Sequence, residues 1–183
     1  MPEVGLKKIL YRWRVRAGLI GAVLVIILAK PDLSSLIIGL AVTLPGLLLR
    51  TWASGHLKKD KELSVSGPYM YSRNPLYLGN LIIGLGIIIA SLSLWVLGIF
   101  VVYFLLFYPL IIQVEAEKMN RLFPREYEGY ANQTSVLLPA RKPFSAPKKN
   151  RFSWMLYRKN KEWRAIIGTI LLWLILSGKI ILF

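Results

Sequence analysis

Five apolar runs, separated by polar or basic segments, dominate the hydrophobic pattern of this chain. They cover residues 17–29, 33–49, 75–91, 94–114 and 166–183, and the last run is interrupted at 177–179. A membrane-spanning helix needs about 20 predominantly apolar residues, so the first run is short and its helix is expected to begin nearer Trp13. The pattern therefore predicts an all-α, polytopic integral membrane bundle of about five transmembrane helices.

The connections between these runs are short on one side and long on the other. Lys30, Pro31 and Asp32 form a tight turn, and only Leu92 and Ser93 separate the third run from the fourth. The third and fourth helices are therefore expected to form a helical hairpin. Pro45 and Pro109 lie inside apolar runs and predict kinks, because proline removes a helical hydrogen bond.

Charge indicates how the bundle is oriented. The chain is 55% hydrophobic yet has a net charge of +15. Segments 1–16, 50–74 and 115–164 hold five, five and twelve of the 24 Lys and Arg residues, which leaves only Lys30 and Lys179 elsewhere. Because basic loops stay cytoplasmic, this asymmetry predicts a cell or inner membrane protein with a cytoplasmic N-terminus. Both long polar segments then share the cytoplasmic face.

Composition also excludes several kinds of chemistry. The chain has no cysteine and one histidine, His56, so thiolate chemistry, disulfides and a multi-histidine metal site are not expected. The basic residues are spread among membrane loops, which favours anionic membrane lipids over nucleic acid as partners. The basic run 141–151 is interpreted as a lipid-binding linker. His56 is expected at the surface or interface, and Gly84 and Gly86 in close helix packing.

Polar groups flank the third and fourth helices on the expected cytoplasmic side. The segment 66–79 reads SGPYMYSRNPLYLG and is a turn-rich loop that runs into an apolar helix, which suits a binding pocket. Glu115 and Glu117 follow the fourth run, where ionisable residues are functional candidates, although two solvated carboxylates would look the same. Apolar residues at helical spacing in 119–130 predict an amphipathic segment at the interface.

The order of these motifs resembles that of the isoprenylcysteine carboxyl methyltransferase family, which is related to phospholipid N-methyltransferases. That family has a Gly-x-Tyr turn, an Arg-His-Pro-x-Tyr-x-Gly motif and a hydrophobic hairpin. A Glu-Glu pair, a phenylalanine, a Tyr-x-x-Tyr motif and a terminal proline follow. The resemblance covers about half of the chain. The matching residues here are Gly67, Tyr69, Arg73, Pro75, Tyr77, Gly79, Glu115, Phe123, Tyr127, Tyr130 and Pro139.

The resemblance implies a membrane methyltransferase that uses S-adenosylmethionine and acts on a lipid-like acceptor. It divides a single membrane domain, 1–183, into an N-terminal helical hairpin at 1–50, a core at 51–139 and a basic linker with an extra helix at 140–183. Segments 61–79 and 115–139 would bind the cofactor. The implied cofactor contacts are Lys61, Glu62, Leu63, Ser64, Tyr69, Asn74, Pro75, Leu76, Tyr77 and Glu115. Arg73 and Glu115 are the candidate catalytic residues, with Arg73 on an acidic head group.

Three positions depart from the family pattern. Asn74 replaces the family's histidine, and Ala116 replaces its second glutamate. Ile111 stands one helical turn before Glu115, where the prenylcysteine enzymes have an arginine that contacts the substrate. The resemblance therefore does not identify the acceptor, and both O- and N-methylation stay open.

Three alternative functions follow from the same residues. The first is a phospholipid N-methyltransferase. The second is an NADPH-dependent enzyme of the sterol-reductase type, which also carries an Arg-x-Pro-x-Tyr-x-Gly segment before a hairpin. The third is a non-catalytic scaffold that gathers anionic lipids on a basic face, for which Tyr69, Tyr77 and Glu115 would be dispensable.

Overall fold

The computed structural model describes residues 3–145 and 150–182, and the surroundings of side chains over 12–145 and 150–181. The regular secondary structure of this part of the chain is helical, apart from a single parallel bridge between Ser72 and Ser135, which confirms the all-α prediction. A short 3₁₀ helix covers Gly67–Met70. The α-helices are α1 (Glu3–Leu28), α2 (Leu33–Ser54), α3 (Pro75–Ser91), α4 (Leu94–Leu122), α5 (Pro124–Gln133), α6 (Trp154–Lys159) and α7 (Trp163–Leu182).

Three helices among the described residues are long and apolar enough to cross a membrane: α2, α4 and α7. The helix α3 is also apolar, but its 17 residues make it shorter than these three. The helix α1 is longer, with 26 residues, and is not one of the three. Large apolar side chains face outward, as Leu94 (84% exposed) and Trp95 (76%) do on α4. Such surfaces are costly in water and suit lipid, so the fold is that of an integral membrane protein.

Several helices extend beyond the apolar runs that predicted them. The helix α4 continues to Leu122, so Glu115 and Glu117 lie within it rather than beyond its end. Phe123 and Pro124 then separate α4 from α5, so the expected amphipathic segment at 119–130 is two helices, because proline fits the first turn of a new helix. The helix α7 continues through 177–179 without the expected interruption.

Glycines let α2 and α3 pack with their backbones close together. A Cβ atom added to Gly39 would lie 2.5 Å from the carbonyl oxygen of Gly86, and one added to Gly46 would lie 2.8 Å from that of Gly79. Small residues permit this close approach where lipid supplies no hydrophobic drive for association. The prediction that Gly86 serves close helix packing is confirmed.

We expect Gly86→Ala to destabilise the bundle, because the new methyl group would overlap the side chain of Thr43 and the backbone of Gly39. Overpacking of this kind costs about 1–3 kcal/mol. Gly98→Ala is the matched control, since its Cβ would meet nothing within 4 Å. Thermal unfolding in detergent measures both, and equal midpoints for the two variants would contradict the packing account.

One end of the bundle is closed by apolar packing and a lysine. Ala29, Leu36, Ala90, Trp173 and Leu176 form a buried cluster there. The Lys179 ammonium donates to the carbonyl oxygen of Ile26 in the last turn of α1 at 2.8 Å, and to that of Ala29, directly after the helix, at 2.7 Å. A cation at the C-terminus of a helix is favourable, so this contact ties α7 to α1. The polar site described below lies at the opposite end.

The surface or interface position expected for His56 is wrong, because its side chain is only 5% exposed. Its Nδ1 lies 2.9 Å from the carbonyl oxygen of Trp52, and the ring of Phe152 packs edge-on against it. Gly67, at φ +61°, brings its backbone onto the imidazole, where a Cβ would lie 2.7 Å from the ring. Glycine adopts this left-handed conformation without strain, which lets the chain cover the histidine.

Candidate functional site

A cavity of about 600 Å³ lies at the end of the bundle where α2 ends and α3 begins. The two segments that the resemblance implies in cofactor binding, 61–79 and 115–139, both contribute residues to its lining. Of the predicted site residues, Lys61 is exposed and does not line the cavity. The others do line it: Glu62, Leu63, Ser64, Tyr69, Arg73, Asn74, Pro75, Leu76, Tyr77 and Glu115.

Backbone pairing holds the loop before α3 against the segment after α5. The Arg73 amide donates to the carbonyl oxygen of Ser135 at 2.9 Å, and the Ala140 amide donates to that of Tyr71 at 2.7 Å. The buried Tyr130 hydroxyl donates to the Tyr69 carbonyl oxygen at 2.7 Å. These contacts join residues more than 50 positions apart and fix the wall of the cavity that carries Tyr69 and Arg73.

Glu115 and Tyr77 form the central contact between the two segments. The Tyr77 hydroxyl donates to Glu115 Oε1 at 2.5 Å, across the gap between α3 and α4. The ring of Tyr108 lies edge-on to Tyr77, with centroids 5.4 Å apart. The Glu115 carboxylate is thus held by a tyrosine hydroxyl and can accept further hydrogen bonds from hydroxyls or an ammonium, and the aromatic rings of this wall offer stacking faces.

Arg73 and Asn74 play different parts in the cavity wall. Arg73 is half-buried, its Nη1 donates to the Tyr127 hydroxyl at 3.5 Å, and its Nε is buried without a partner in the part of the chain that the structure describes. Asn74 uses its side-chain amide to donate to the Val136 carbonyl oxygen at 2.8 Å. The asparagine that replaces the family's histidine therefore braces the loop, whereas Arg73 keeps donor capacity toward the cavity.

Two tyrosines of the wall stay protonated at neutral pH. Burial raises the pKa of Tyr69 well above its usual value, and the charge of Glu115 adds to the shift. Burial likewise raises the pKa of Tyr130. Desolvation disfavours the phenolate, so neither group is suited to accept a proton from a substrate.

Salt bridges hold the loop after α2 across the rim. Lys118 on α4 pairs with Asp60 at 2.5 Å, and Lys58 pairs with Glu62 at 2.8 Å. Ser64, also in this loop, is buried and donates to the His56 carbonyl oxygen at 3.4 Å. The exposed rim pairs contribute little to stability, so they position the loop rather than secure the fold.

The cavity-lining residues that sequence reasoning missed include Arg50 and its two side-chain partners, Asn80 and Glu162. Arg50 Nη1 donates to Asn80 Oδ1 and to the Leu76 carbonyl oxygen, and Nη2 pairs with Glu162 Oε2 at 2.5 Å. Arg50 is one of the basic residues of segment 50–74, and its place at the end of an apolar run is the signal that could have found it. Nothing in the pattern indicated that Glu162, 112 residues further on, returns to the site.

The described residues contain no group of three or more His, Cys, Asp or Glu side chains able to hold a metal ion. The cavity is instead lined by six basic and four acidic side chains. These are Arg14, Arg50, Lys58, Lys59, Arg73 and Lys118, with Asp60, Glu62, Glu115 and Glu162. Its electrostatic balance is therefore positive, which favours ligands with an anionic group.

Comparison with known proteins yields two curated relatives. A stretch of 94 residues is 36% identical to the nickel-cobalt-cadmium resistance protein NccN of Alcaligenes xylosoxydans xylosoxydans, covering 49% of this chain and 43% of that protein. The cobalt-zinc-cadmium resistance protein CzcN of Cupriavidus metallidurans matches at 36% over 94 residues, covering 49% of this chain and 42% of its own. The chain thus spans less than half the length of either relative. No solved structure matches it.

A match to a family profile assigns the chain to a protein family. The phospholipid methyltransferase family matches residues 34–126, which is half of the chain. This range runs from the start of α2 into α5 and includes Arg73, Tyr77 and Glu115 on the cavity wall. The match supports a membrane methyltransferase and does not single out the prenylcysteine branch that the motifs resembled. The chain belongs to the phospholipid methyltransferase family.

Proposed function

We propose that this protein transfers a methyl group from S-adenosylmethionine to an amphiphile that resides in the membrane. The observation that carries the proposal is the contact between Tyr77 and Glu115, because it joins the two segments implied in cofactor binding inside one cavity. A volume of about 600 Å³ falls within the range of small-molecule sites and leaves room for more than one ligand group.

The residues present fit the cofactor group by group. Glu115 can accept from ribose hydroxyls or from the ammonium of the amino-acid part. The helix α3 begins at Pro75 with no side-chain cap on its first turn, and such an N-terminus favours a carboxylate. Tyr69 and Tyr77 offer ring faces for the adenine. When bound, S-adenosylmethionine supplies a methyl group on a sulfonium, and the sulfur leaves as the thioether S-adenosylhomocysteine.

The protein's own contribution is positioning and exclusion of water. Ile111 and Tyr108 are buried on the α4 side of the cavity, where an apolar tail can stay out of water. Holding the acceptor atom in line with the methyl group and the sulfur supplies most of what such a displacement needs. An acceptor that enters from the lipid keeps its tail in hydrocarbon throughout.

The choice between O- and N-methylation depends on the need for a base. A carboxylate acceptor is already ionised at neutral pH, whereas an ammonium must first lose a proton. Tyr69 and Tyr130 are unsuited to take that proton, and we favour Glu115, which contacts Tyr77 in the cavity, among the carboxylates that could accept it. The surplus of basic lining also favours an acidic head group, with Arg73 as its contact. A carboxyl O-methyltransferase is the function we favour, with phospholipid N-methylation as the alternative.

Loop charge supports a site on the cytoplasmic face. The cavity lies among the basic segments 50–74 and 115–164, while Lys179 lies at the opposite end against α1. S-adenosylmethionine is made in the cytoplasm, so this orientation would give the site access to it. The same basic face would attract anionic membrane lipids.

Isothermal titration of the detergent-solubilised protein with S-adenosylhomocysteine, and separately with NADPH, tests this proposal. We expect micromolar binding of S-adenosylhomocysteine and no heat with NADPH. Binding of NADPH alone would replace the methyltransferase with the reductase alternative. If neither ligand gives a heat of binding with a folded sample, the lipid-binding scaffold would be favoured.

A further inference from the structure

The C-terminal segment closes over the end of α2 and reaches the cavity. The Ser153 amide donates to the Gly55 carbonyl oxygen at 3.0 Å. The Asn160 side-chain amide donates to the carbonyl oxygens of Ser54 and Leu57, both at 2.9 Å. Glu162 follows directly and pairs with Arg50. This segment lies outside residues 34–126, the range that matches the family, so the site contains a part that the family match does not include.

The guanidinium of Arg50 is only partly paired. Its Nη1 donates to Leu76 and Asn80, and its Nη2 donates to one oxygen of Glu162. Its Nε is buried and has no hydrogen-bond partner among the described residues. We call the pair of donors Nε and Nη2 the fork of Arg50. A carboxylate that filled this fork would accept hydrogen bonds from both nitrogens, which is the usual bidentate geometry. Glu162 therefore leaves half of this fork unused.

An unpaired buried donor is costly, and a group with oxygens in the right place would relieve that cost. The side chains of Arg50 and Glu162 are 15% and 12% exposed, so neither is a surface charge. Because Glu162 covers the fork, another anion can use it only if the carboxylate moves aside. Asn80 also neighbours the buried Tyr108, which places the fork next to the apolar side of the cavity.

We propose that Arg50 is a second binding group for the acidic head of a membrane amphiphile, and that Glu162 is the counter-ion which this head displaces. The inference rests on the proposed function, because it names the class of acceptor for the same site. This role for Arg50 accounts for Ile111, the apolar residue at the α4 position where the prenylcysteine enzymes have a substrate-binding arginine. In this protein the arginine that binds the anion would come from α2 instead. The acid is a phosphate or carboxylate joined to an apolar tail.

The test titrates dioctanoyl phosphatidic acid into protein held in a neutral maltoside detergent, with inorganic phosphate and dioctanoylglycerol as further probes. Glu162→Gln removes the competing charge and should tighten binding of phosphatidic acid by about tenfold, whereas Arg50→Gln should weaken it by about tenfold or more. Dioctanoylglycerol should show no dependence on either substitution. Inorganic phosphate, which has no tail, should bind more weakly.

Matched controls separate this site from general charge attraction. Glu128→Gln and Arg158→Gln make the same changes of charge at exposed positions outside the cavity, and should leave the affinity unchanged. The inference is overturned if Glu162→Gln leaves binding unchanged or weakens it, or if inorganic phosphate binds as tightly as phosphatidic acid. The Glu162→Gln result decides even if Arg50→Gln does not fold.

S-adenosylhomocysteine titrated into the same wild-type sample distinguishes the two failures. If S-adenosylhomocysteine binds normally while the affinity for phosphatidic acid is unchanged by substitution of Arg50 or Glu162, the acceptor inference fails and the methyltransferase proposal stands. If S-adenosylhomocysteine does not bind, the proposed function fails as well. Tighter binding of phosphatidic acid to Glu162→Gln would then identify Arg50 as part of an anion site on a protein of another function.

Discussion

Glu115→Gln should weaken S-adenosylhomocysteine binding by roughly 10- to 150-fold, the equivalent of about 1.5–3 kcal/mol for a lost charged hydrogen bond. The carboxylate lies in the cavity and already accepts from the Tyr77 hydroxyl. Glutamine keeps an oxygen for Tyr77, so the wall should hold its shape while the negative charge is lost. Isothermal titration of the purified variant measures the change.

Glu117→Gln is the control, because it makes the same change two residues along α4 on an exposed side chain that does not line the cavity. Its affinity should equal that of the unmodified protein. If both substitutions weaken binding equally, the effect is one of overall charge. If neither does, Glu115 is not a cofactor contact.

Arg73→Gln should impair use of the acceptor rather than binding of the cofactor. Within residues 3–145 and 150–182, its Nε is buried without a hydrogen-bond partner and its Nη1 makes a long contact, 3.5 Å, to Tyr127. A charged hydrogen bond to an acidic head would be worth about 1.5–3 kcal/mol, so kcat/KM for the acceptor should fall by roughly 10- to 150-fold. The affinity for S-adenosylhomocysteine should change little.

Arg125→Gln on α5 provides the comparison, since this arginine is exposed and outside the cavity. It lowers the charge of the same face without touching the site. A loss of cofactor affinity in Arg73→Gln as large as that in Glu115→Gln would place Arg73 against the cofactor instead. Unaltered kcat/KM would leave it as one of the basic residues that orient the protein.

The sequence predicted helix type and approximate position well, because long apolar runs leave little choice in a membrane. Helix ends were less predictable, since packing decides them. The helix α4 continues past Val114 to Leu122 despite four charged side chains, because charged residues are good helix formers once the helix leaves the apolar layer. His56 was misplaced because its burial depends on Gly67 and Phe152, which are distant in sequence.

The part of the site within the motifs could be predicted because the order of Arg73, Tyr77 and Glu115 carried a recognisable pattern. The remaining part could not. Glu162 belongs to a basic segment without a motif, and its approach to Arg50 depends on how 150–162 folds over the end of α2. A tertiary contact between residues 112 positions apart leaves no local signal in a single sequence.

Reconstitution of the purified protein into vesicles with tritiated-methyl S-adenosylmethionine tests the central claim most directly. The vesicles should be made from a total bacterial lipid extract, so that candidate acceptors are present without prior selection. We expect the tritiated methyl group to appear in the organic-solvent extract, in an amount that increases with time and with protein concentration. This labelling should be lost in Glu115→Gln and retained in Glu117→Gln. Unlabelled lipid in the presence of folded protein, or label that persists fully in Glu115→Gln, would contradict it.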